Sequence, residues 1–482
     1  MVARRRGICT RGVGSSRYGK GRLLLKADLV IASNRGPLSF ALDHEGRPVP
    51  AGSAGGLAAA LHPQLEGSGA TWVACAMSDA DRMATSEGLM TERGLHLVTV
   101  QPDKDTYRMA YDVVSNSTLW FLHHHLFDLA RRPRFDHHWA RAWEAYREFN
   151  ELFAAVVDAA AADGATVLVQ DYHLSLLPGV LAEKRPDLHT VHFTHTPFAS
   201  ADTLRVLPSA VAREVLEGMA GATAVGFHTT RWEQCFRDCC EDMGVDLPRT
   251  FVSPLTPDSE YLTERAASPE CRAAGERLDE LLRGRRMVLR VDRIEPAKNL
   301  LRGFWAFDEM LRMRPDLRGG VVLLALAYAS RSSLPEYLAY GAEVEQTARR
   351  VNDVWGTDDW APIILDVADD PGRSIAALMR YDVLLVNPLR DGLNLVAKEG
   401  PIVNATDGVL ALSREAGAFA ELHREALEIN PFDVTGTARV LLQALDMAPA
   451  ERARRAQALL ALVSRRHPGD WLADQLAAVV AL

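Results

Sequence analysis

The sequence predicts an α/β protein of two domains, each built on a mostly parallel sheet, facing one another across a cleft. Three observations predict it. The chain has 482 residues, more than one ordinary hydrophobic core holds. Short apolar bursts alternate with helical stretches rich in Ala, Arg and Glu, the pattern of strand–helix–strand units. The alternation stops at a polar, proline-containing region, roughly residues 246–286, and then restarts over a similar length.

Residues 1–26 read as a basic, disordered arm, because they carry the arginines of a signal peptide without its apolar stretch. The folded part opens with ADLVIASNR, a short buried strand and a turn at Asn34-Arg35-Gly36-Pro37. After a polar excursion, AGSAGGLAAALHP reads as a glycine-rich loop (Gly52, Gly55, Gly56) running into a helix. TWVACA, HLVTV, TVLVQDYH, HTVHFTH and ATAVGFH supply further strands, with a helix from Trp139 to Ala162 among them. These make a first domain over 27–250. A connecting region over 251–285 leads to RMVLRVDR, GGVVLLALAYAS, APIILDVA, YDVLLVNP and GVLALS, the strands of a second domain over 286–450. Residues 451–482 are helical in composition and placed to cross back to the first domain.

Composition narrows the function. With 48% hydrophobic and 24% charged residues the chain is globular, and a formal charge of -9 argues against a nucleic-acid partner. No run of about twenty apolar residues exists, so no membrane span is expected. The six cysteines form no CxxC pair and read as buried thiols in a reducing cytoplasm. The first strand is not followed by G-x-G-x-x-G, against a nucleotide-dependent oxidoreductase. Homo-oligomerisation is left open.

Ligands of open α/β sheets bind beyond the carboxyl ends of the strands, and there this chain carries its polar residues. Arg35, Asp171, His195, Arg293 and Asp391 all follow apolar bursts closely. Gly55 and Gly56, at a helix start, could hold an anion on free backbone N–H groups or simply make a tight turn. Arg293 and Lys298, five residues apart, can converge on a diphosphate, the arginine by paired contacts and the lysine as a point charge; in isolation they are equally a solvated pair. Arg331 follows another buried strand. In NPLRDGLNLVAKEGP, Asp391-Gly392-Leu393-Asn394 reads as a loop whose amides open into a helix, with Asp391 accepting from a sugar hydroxyl and Glu399 placed for a ribose. The plain alternative is a strand–turn–helix with an aspartate cap.

Together SNRGP, SAGGLA, YDVVSNSTLW, VQDYHLSLLP, HFTHTPF, GFHT, VDRIEPAKN, ASR and PLRDGLNLVAKE resemble the retaining trehalose-6-phosphate synthases, in that family's order and over nearly the whole chain from Asp28. The resemblance implies the GT-B glycosyltransferase fold, two Rossmann-like domains facing across a cleft. It implies transfer of glucose from a nucleoside-diphosphate glucose to glucose 6-phosphate, giving α,α-trehalose 6-phosphate. Arg35, Tyr111, Trp120 and Arg331 would hold the acceptor; Tyr111 and Trp120, nine residues apart, match the family's acceptor loop. Arg293 and Lys298, with the Gly55-Gly56 turn, would neutralise the leaving diphosphate. Asp391 and the amides of Gly392, Leu393, Asn394 and Leu395 would bind the donor glucose and distal phosphate, and Glu399 the ribose. Asp171 and His195 would flank the two sugars near the new bond. The motifs supply no nucleophile and acid/base carboxylate pair as such, and the resemblance implies retention by front-face attack. Arginine and lysine would then do the work of a divalent ion, with no metal or other cofactor. Nothing resembling a phosphatase follows, so the product is expected to leave phosphorylated.

One motif departs from the pattern. The family's RLDYSKG stands here as RIEPAKN, keeping the arginine and lysine. Its Pro-x-Lys-Asn form resembles the validoxylamine phosphate synthases, which couple a GDP-linked cyclitol to an amino-cyclitol phosphate; that pseudo-glycosyl transfer is the alternative reaction. The intact PLRDGLNLVAKE and the four acceptor residues favour sugar transfer. Asp366, Asp369 and Asp370 in ILDVADDPG, near the expected place of the base, could accept from the N–H donors of guanine, which favours GDP-glucose over UDP-glucose.

Overall fold

The computed structural model describes residues 26–53, 56–85, 90–92, 94–331 and 333–480, so that all of the basic arm but Lys26 lies outside it. Among the described residues, ten strands belong to the first half of the chain: β1 (Ala27–Ser33), β2 (Leu38–Leu42), β3 (Pro48–Ser53), β4 (Thr71–Cys75), β5 (Met90–Glu92), β6 (Leu95–Val100), β7 (Ala161–Gln170), β8 (His189–Thr194), β9 (Ala224–Phe227) and β10 (Arg249–Val252). Six belong to the second: β11 (Arg286–Ile294), β12 (Val321–Ala329), β13 (Ile363–Asp366), β14 (Val383–Val386), β15 (Val409–Ser413) and β16 (Leu427–Ile429).

The first sheet runs β10-β9-β8-β7-β1-β4-β6-β5, parallel except for the edge strand β5. The second, all parallel, runs β13-β12-β11-β14-β15-β16, the doubly wound order in which strands add to one side of the first and then to the other. Strands covered by helices on both faces read as continuous apolar runs, and β12, VVLLALAYA, is buried through its first seven residues. The helix His137–Ala160 shows the other period. Asp136 accepts from the N–H groups of His138 and Trp139 and so starts it. Trp139, Trp143, Tyr146, Asn150, Phe153 and Val157 then recur every three or four residues along its buried face.

The polar excursion after β1 is the antiparallel hairpin β2–β3, and Gly52 lies in its second strand. The stretch 251–285 is more regular than its composition suggests. It carries the helices Ser259–Ala266 and Pro269–Leu282, started by the carboxylate of Asp258 and the hydroxyl of Ser268, with Pro269 preset for the first helical turn. The chain then ends in two helices. Pro449–Val463 packs on Val396–Val403 of the second half. Pro468–Val480 returns to the first sheet, where Trp471 is fully buried with its ring 5.0 Å from that of Phe193. Among the described residues, no helix is long and apolar enough to cross a membrane.

Candidate active site

In each sheet the strand order reverses at one place, between β1 and β7 in the first and between β11 and β14 in the second. The loops leaving those strands diverge, which opens a crevice at their carboxyl ends. The two crevices face each other and merge into a cleft of about 280 Å³. Arg35 enters it from the end of β1, Asp171 from β7 and His195 from β8; Arg293 and Lys298 come from β11, Arg331 from β12, and Asp391 and Gly392 from β14. Tyr111 and Trp120 line the same space.

The second sheet supplies an ordered set of charges. Arg290 is fully buried; its guanidinium bonds Asp292 at 2.8 and 3.1 Å and the carbonyl of Lys298 at 2.9 Å, which fixes the short turn Pro296–Lys298. Lys298 thereby reaches across to Asp391, Nζ to Oδ2 at 2.5 Å. Burial opposes both charges, yet the pairing prevails: it holds the lysine above its ordinary value and the aspartate below. Glu295, a residue that sequence reasoning passed over, is the centre of a second group. Its buried carboxylate accepts from Arg331 Nη1 at 2.7 Å and Ser330 Oγ at 2.8 Å, and pairs with Arg293 Nη1 at 3.1 Å. Burial alone would raise it, but the two arginines and nearby Lys298 hold it down at about 2.

The first sheet supplies a more aromatic wall. Asp171 leaves β7 with φ 70° and ψ 170°, a backbone region that side chains other than glycine rarely enter. Its carboxylate accepts from the His195 N–H at 3.1 Å, and burial raises it to about 6 against the opposing pull of backbone N–H groups. Tyr111 and Trp120 do not lie on a loop. Residues Met109–Leu119 form a wide helix, continuous with Lys104–Arg108 before it and Trp120–His124 after it. Such a helix closes its hydrogen bonds five residues on, with roughly 4.5 residues per turn. Nine residues are then about two turns and return Trp120 to the side of Tyr111, whereas the 3.6-residue period would set them on opposite sides. Trp120 stacks on His124 with ring centroids 3.8 Å apart and carries the Arg331 guanidinium 3.9 Å from its centroid.

Arg331 is more committed than a dedicated phosphate ligand. Besides Glu295 it donates to Asn116 Oδ1 at 2.7 Å, Tyr337 OH at 3.1 Å and Tyr172 OH at 3.4 Å. Arg35, by contrast, is exposed, and its side chain makes no ion pair among the described residues. Asn116 and Tyr172 were visible inside quoted motifs, but nothing local marks them as partners of an arginine from the other sheet.

His195 is also committed: its Nδ1 lies 3.2 Å from His228 Nε2 and its Nε2 3.0 Å from Gln170 Oε1. Burial lowers its basicity to about 3, so the ring is neutral. The Asp391–Leu395 loop gains a second explanation. A Cβ at position 392 would lie 1.9 Å from the His195 carbonyl oxygen, so glycine there serves close approach of backbone from the two halves, and one at Gly417 would lie 2.0 Å from the Gly392 oxygen, a close approach within the second half. Leu393 is buried with Phe193 and Trp471, Leu395 packs against them, and Asn394, at φ 77°, donates to Asp391 at 3.1 Å. The Leu393 amide bonds Asp391 itself at 3.4 Å. Glu399 stands in the first turn of Val396–Val403, half-buried, its carboxylate without a hydrogen bond among the described residues, and burial raises it to about 7. Gly56 begins the helix Gly56–Leu65, and Gly55 lies outside the described residues. Of the three acids considered for the base, Asp366 pairs with Arg373 and Asp370 caps Pro371–Leu378; Asp369 makes no hydrogen bond among the described residues.

The chain as a whole resembles known proteins. Over 472 residues it is 33% identical to a bifunctional trehalose-6-phosphate synthase/phosphatase of Thermoproteus tenax, covering 92% of this chain and 62% of that protein. Over 484 residues it is 33% identical to a trehalose-6-phosphate synthase of Mycobacterium sp. (strain JLS), covering 95% and 96%. The crystal structure of a UDP-forming α,α-trehalose-phosphate synthase from Burkholderia vietnamiensis superposes with a TM-score of 0.83 at 29% identity, over 95% of this chain and all of that one. That of a UDP-forming synthase from Burkholderia xenovorans, solved in complex with glucose-6-phosphate, gives 0.82 at 26%, over 94% and 99%. Residues 27–480 match the glycosyltransferase family 20 pattern as a whole, and the chain belongs to that family, the family of the trehalose-6-phosphate synthases.

Proposed function

We propose that the protein transfers glucose from a nucleoside-diphosphate glucose to glucose 6-phosphate, giving α,α-trehalose 6-phosphate with retention and without a metal ion, in the cytoplasm. One observation carries the reading: cationic groups of the second sheet (Arg293, Lys298) and an aromatic, arginine-bearing wall of the first (Arg35, Tyr111, Trp120) meet in one cleft, with Asp171 and Asp391 between them. A departing diphosphate needs preorganised positive charge, and two sugars held in line need little else from the protein. Arg293 and Lys298 supply the charge. Asp391 exchanges its lysine partner for a donor hydroxyl, which frees the lysine for the diphosphate. Arg35 and Arg331 take the acceptor phosphate, with Tyr111 and Trp120 beside the sugar. Front-face attack is supported by how the cleft carboxylates are engaged, since Asp171 is held by the His195 N–H and Asp391, on leaving Lys298, is taken up by a donor hydroxyl. The leaving oxygen then takes the acceptor proton.

For the donor base we favour GDP over UDP. The support is the Pro-x-Lys-Asn form of the β11 turn and the unengaged Asp369, while Asp366 and Asp370 are used locally. Steady-state rates over a matrix of nucleoside-diphosphate glucoses and sugar phosphates, with product identification, test the whole reading. A non-reducing disaccharide phosphate formed fastest from GDP-glucose, with activity persisting in EDTA, is the expected result. A clear UDP preference overturns the base assignment, and activity lost on chelation and restored by metal overturns the electrostatic one. Turnover only with cyclitol substrates would select the pseudo-glycosyl reaction.

A further inference from the structure

His195 is held from behind by a chain of buried hydrogen bonds that ends on the C-terminal helix. The Leu255 N–H, from the segment joining the two halves, points at His228 Nδ1 at 3.4 Å. With that nitrogen accepting from Leu255, the neutral ring carries its proton on Nε2; the Ser253 backbone also lies against this ring. His228 Nε2 lies 3.2 Å from His195 Nδ1, which accepts, so the His195 proton sits on Nε2 and is donated to Gln170 Oε1 at 3.0 Å. Gln170 Nε2 in turn donates to Gln475 Oε1 at 3.1 Å. Gln170 and Gln475 are both fully buried, 305 positions apart in the chain. Burial lowers the basicity of both histidines, which keeps the rings neutral.

The backbone of His195 faces the cleft while its ring faces this chain. Its N–H holds the Asp171 carboxylate at 3.1 Å, and its carbonyl is the surface against which Gly392 is set. A ring whose two nitrogens are both bonded inside the protein cannot shuttle protons to a substrate. What it can do is fix a segment that touches both Asp171 of the first half and the Asp391–Gly392 loop of the second.

We infer that Gln475, on the returning helix Pro468–Val480, is a positioning residue of the active site, acting through Gln170 and opposite His228 to hold His195 in a single tautomer and orientation. The kinetic part of this inference rests on the cleft being the site of glucosyl transfer; the spectroscopic part does not. The chain's order of donors and acceptors makes the Nε2–H form the only one compatible with every link.

The experiment compares Gln475→Leu, which removes the acceptor at similar volume, with Gln475→Glu, which keeps an acceptor oxygen, and with Leu472→Ala, which loosens the same helix without touching the chain of bonds. Ring tautomers are read by ¹⁵N NMR of histidine-labelled protein, with the His195 signal assigned from a His195→Asn variant. The expected result is an Nε2–H His195 in the parent, in Gln475→Glu and in Leu472→Ala, and a mixture of tautomers in Gln475→Leu. With it comes roughly a tenfold fall in kcat for Gln475→Leu alone and less than a twofold change in KM, the pattern of misaligned rather than unbound substrates. An Nδ1–H ring in the parent, an unchanged tautomer in Gln475→Leu, or equal kcat losses in Gln475→Leu and Leu472→Ala overturns the inference. A parent inactive with every donor and acceptor pair defeats the proposed function and leaves the tautomer result to decide this one.

Discussion

Glu295→Gln is the perturbation whose size the structure sets most directly. The carboxylate has no exposed surface and is the shared partner of Arg331 at 2.7 Å and Arg293 at 3.1 Å. A carboxyl held at about 2 in the fold and at its ordinary 4.5 in the unfolded chain contributes about 3 kcal/mol of stability at pH 7. Independently, removing one member of a buried ion pair costs about 3–5 kcal/mol, because the remaining charge is left uncompensated. Both routes agree on about 3 kcal/mol for the amide, which keeps the volume and one acceptor oxygen. The sign with pH follows from the depressed value. The contribution is fully present above pH 4.5 and is lost as pH falls toward 2, so the gap between parent and variant shrinks to roughly 2 kcal/mol at pH 3.5. Urea unfolding at pH 7 and pH 3.5 measures it. A variant within 1 kcal/mol of the parent at pH 7, or a gap that widens in acid, refutes the reasoning. Because both arginines lose their common anchor, kcat/KM is expected to fall more than about tenfold.

Three further outcomes follow from the same geometry. Arg293→Ala and Lys298→Ala, each shown to be folded by circular dichroism, are expected to lose roughly 10²–10³ in kcat, since they remove charge aimed at the departing diphosphate; parental turnover in both would defeat the assignment. Gly392→Ala places a methyl 1.9 Å from the His195 oxygen, so the loop must shift by more than an ångström, and kcat/KM is expected to fall about 100-fold, a loss that steady-state kinetics would show at once. Glu399, raised to about 7 by burial, accepts best when ionised, so KM for the donor should rise as pH drops below 7 and lose that dependence in Glu399→Gln. The raised value also means that the fold disfavours the ionised form, so Glu399→Gln should be more stable than the parent above pH 7, with the difference fading toward pH 4.5.

What the sequence revealed was whatever is local. A buried parallel strand announces itself as an apolar run, and its polar successor marks the carboxyl end, so Arg35, Asp171, Arg293 and Asp391 could be placed at a cleft before any coordinates. Short edge strands gave no such signal: RTFV of β10 is exposed or half-buried throughout, and LEI of β16 is three residues long. The wide helix was missed because MAYDVVSNSTL has neither a 3.6-residue nor a two-residue apolar period, and its family likeness suggested a loop. Glu295 was in plain view inside RIEPAKN, but its meaning depends on Arg331, 36 residues on, folding back onto it. The purpose of Gly392 was hidden for the same reason, since the atom it avoids belongs to the other half of the chain.

Those long-range features bear on how the cleft forms at all. Besides the apolar contact of Leu393 and Leu395 with Phe193, the two halves meet through directional polar bonds: Arg331 to Asn116 at 2.7 Å, Arg390 to the Phe198 carbonyl at 2.8 Å, Trp232 to the Gly392 carbonyl at 2.9 Å and Arg231 to Glu415 at 2.7 Å. Polar interfaces between domains exchange with water at small net cost, because each bond lost on opening is replaced by one to solvent. Of these bonds, two lead directly into the reaction centre: Arg331 shares its guanidinium with Glu295, and the Gly392 carbonyl belongs to the residue next to Asp391. On the proposed function, a substrate phosphate that draws on Arg331, or a sugar bound at the Asp391–Gly392 loop, therefore acts on groups that also hold the halves together. The proposed function therefore couples substrate binding to domain closure, because Arg331 and the Asp391–Gly392 loop take part in both.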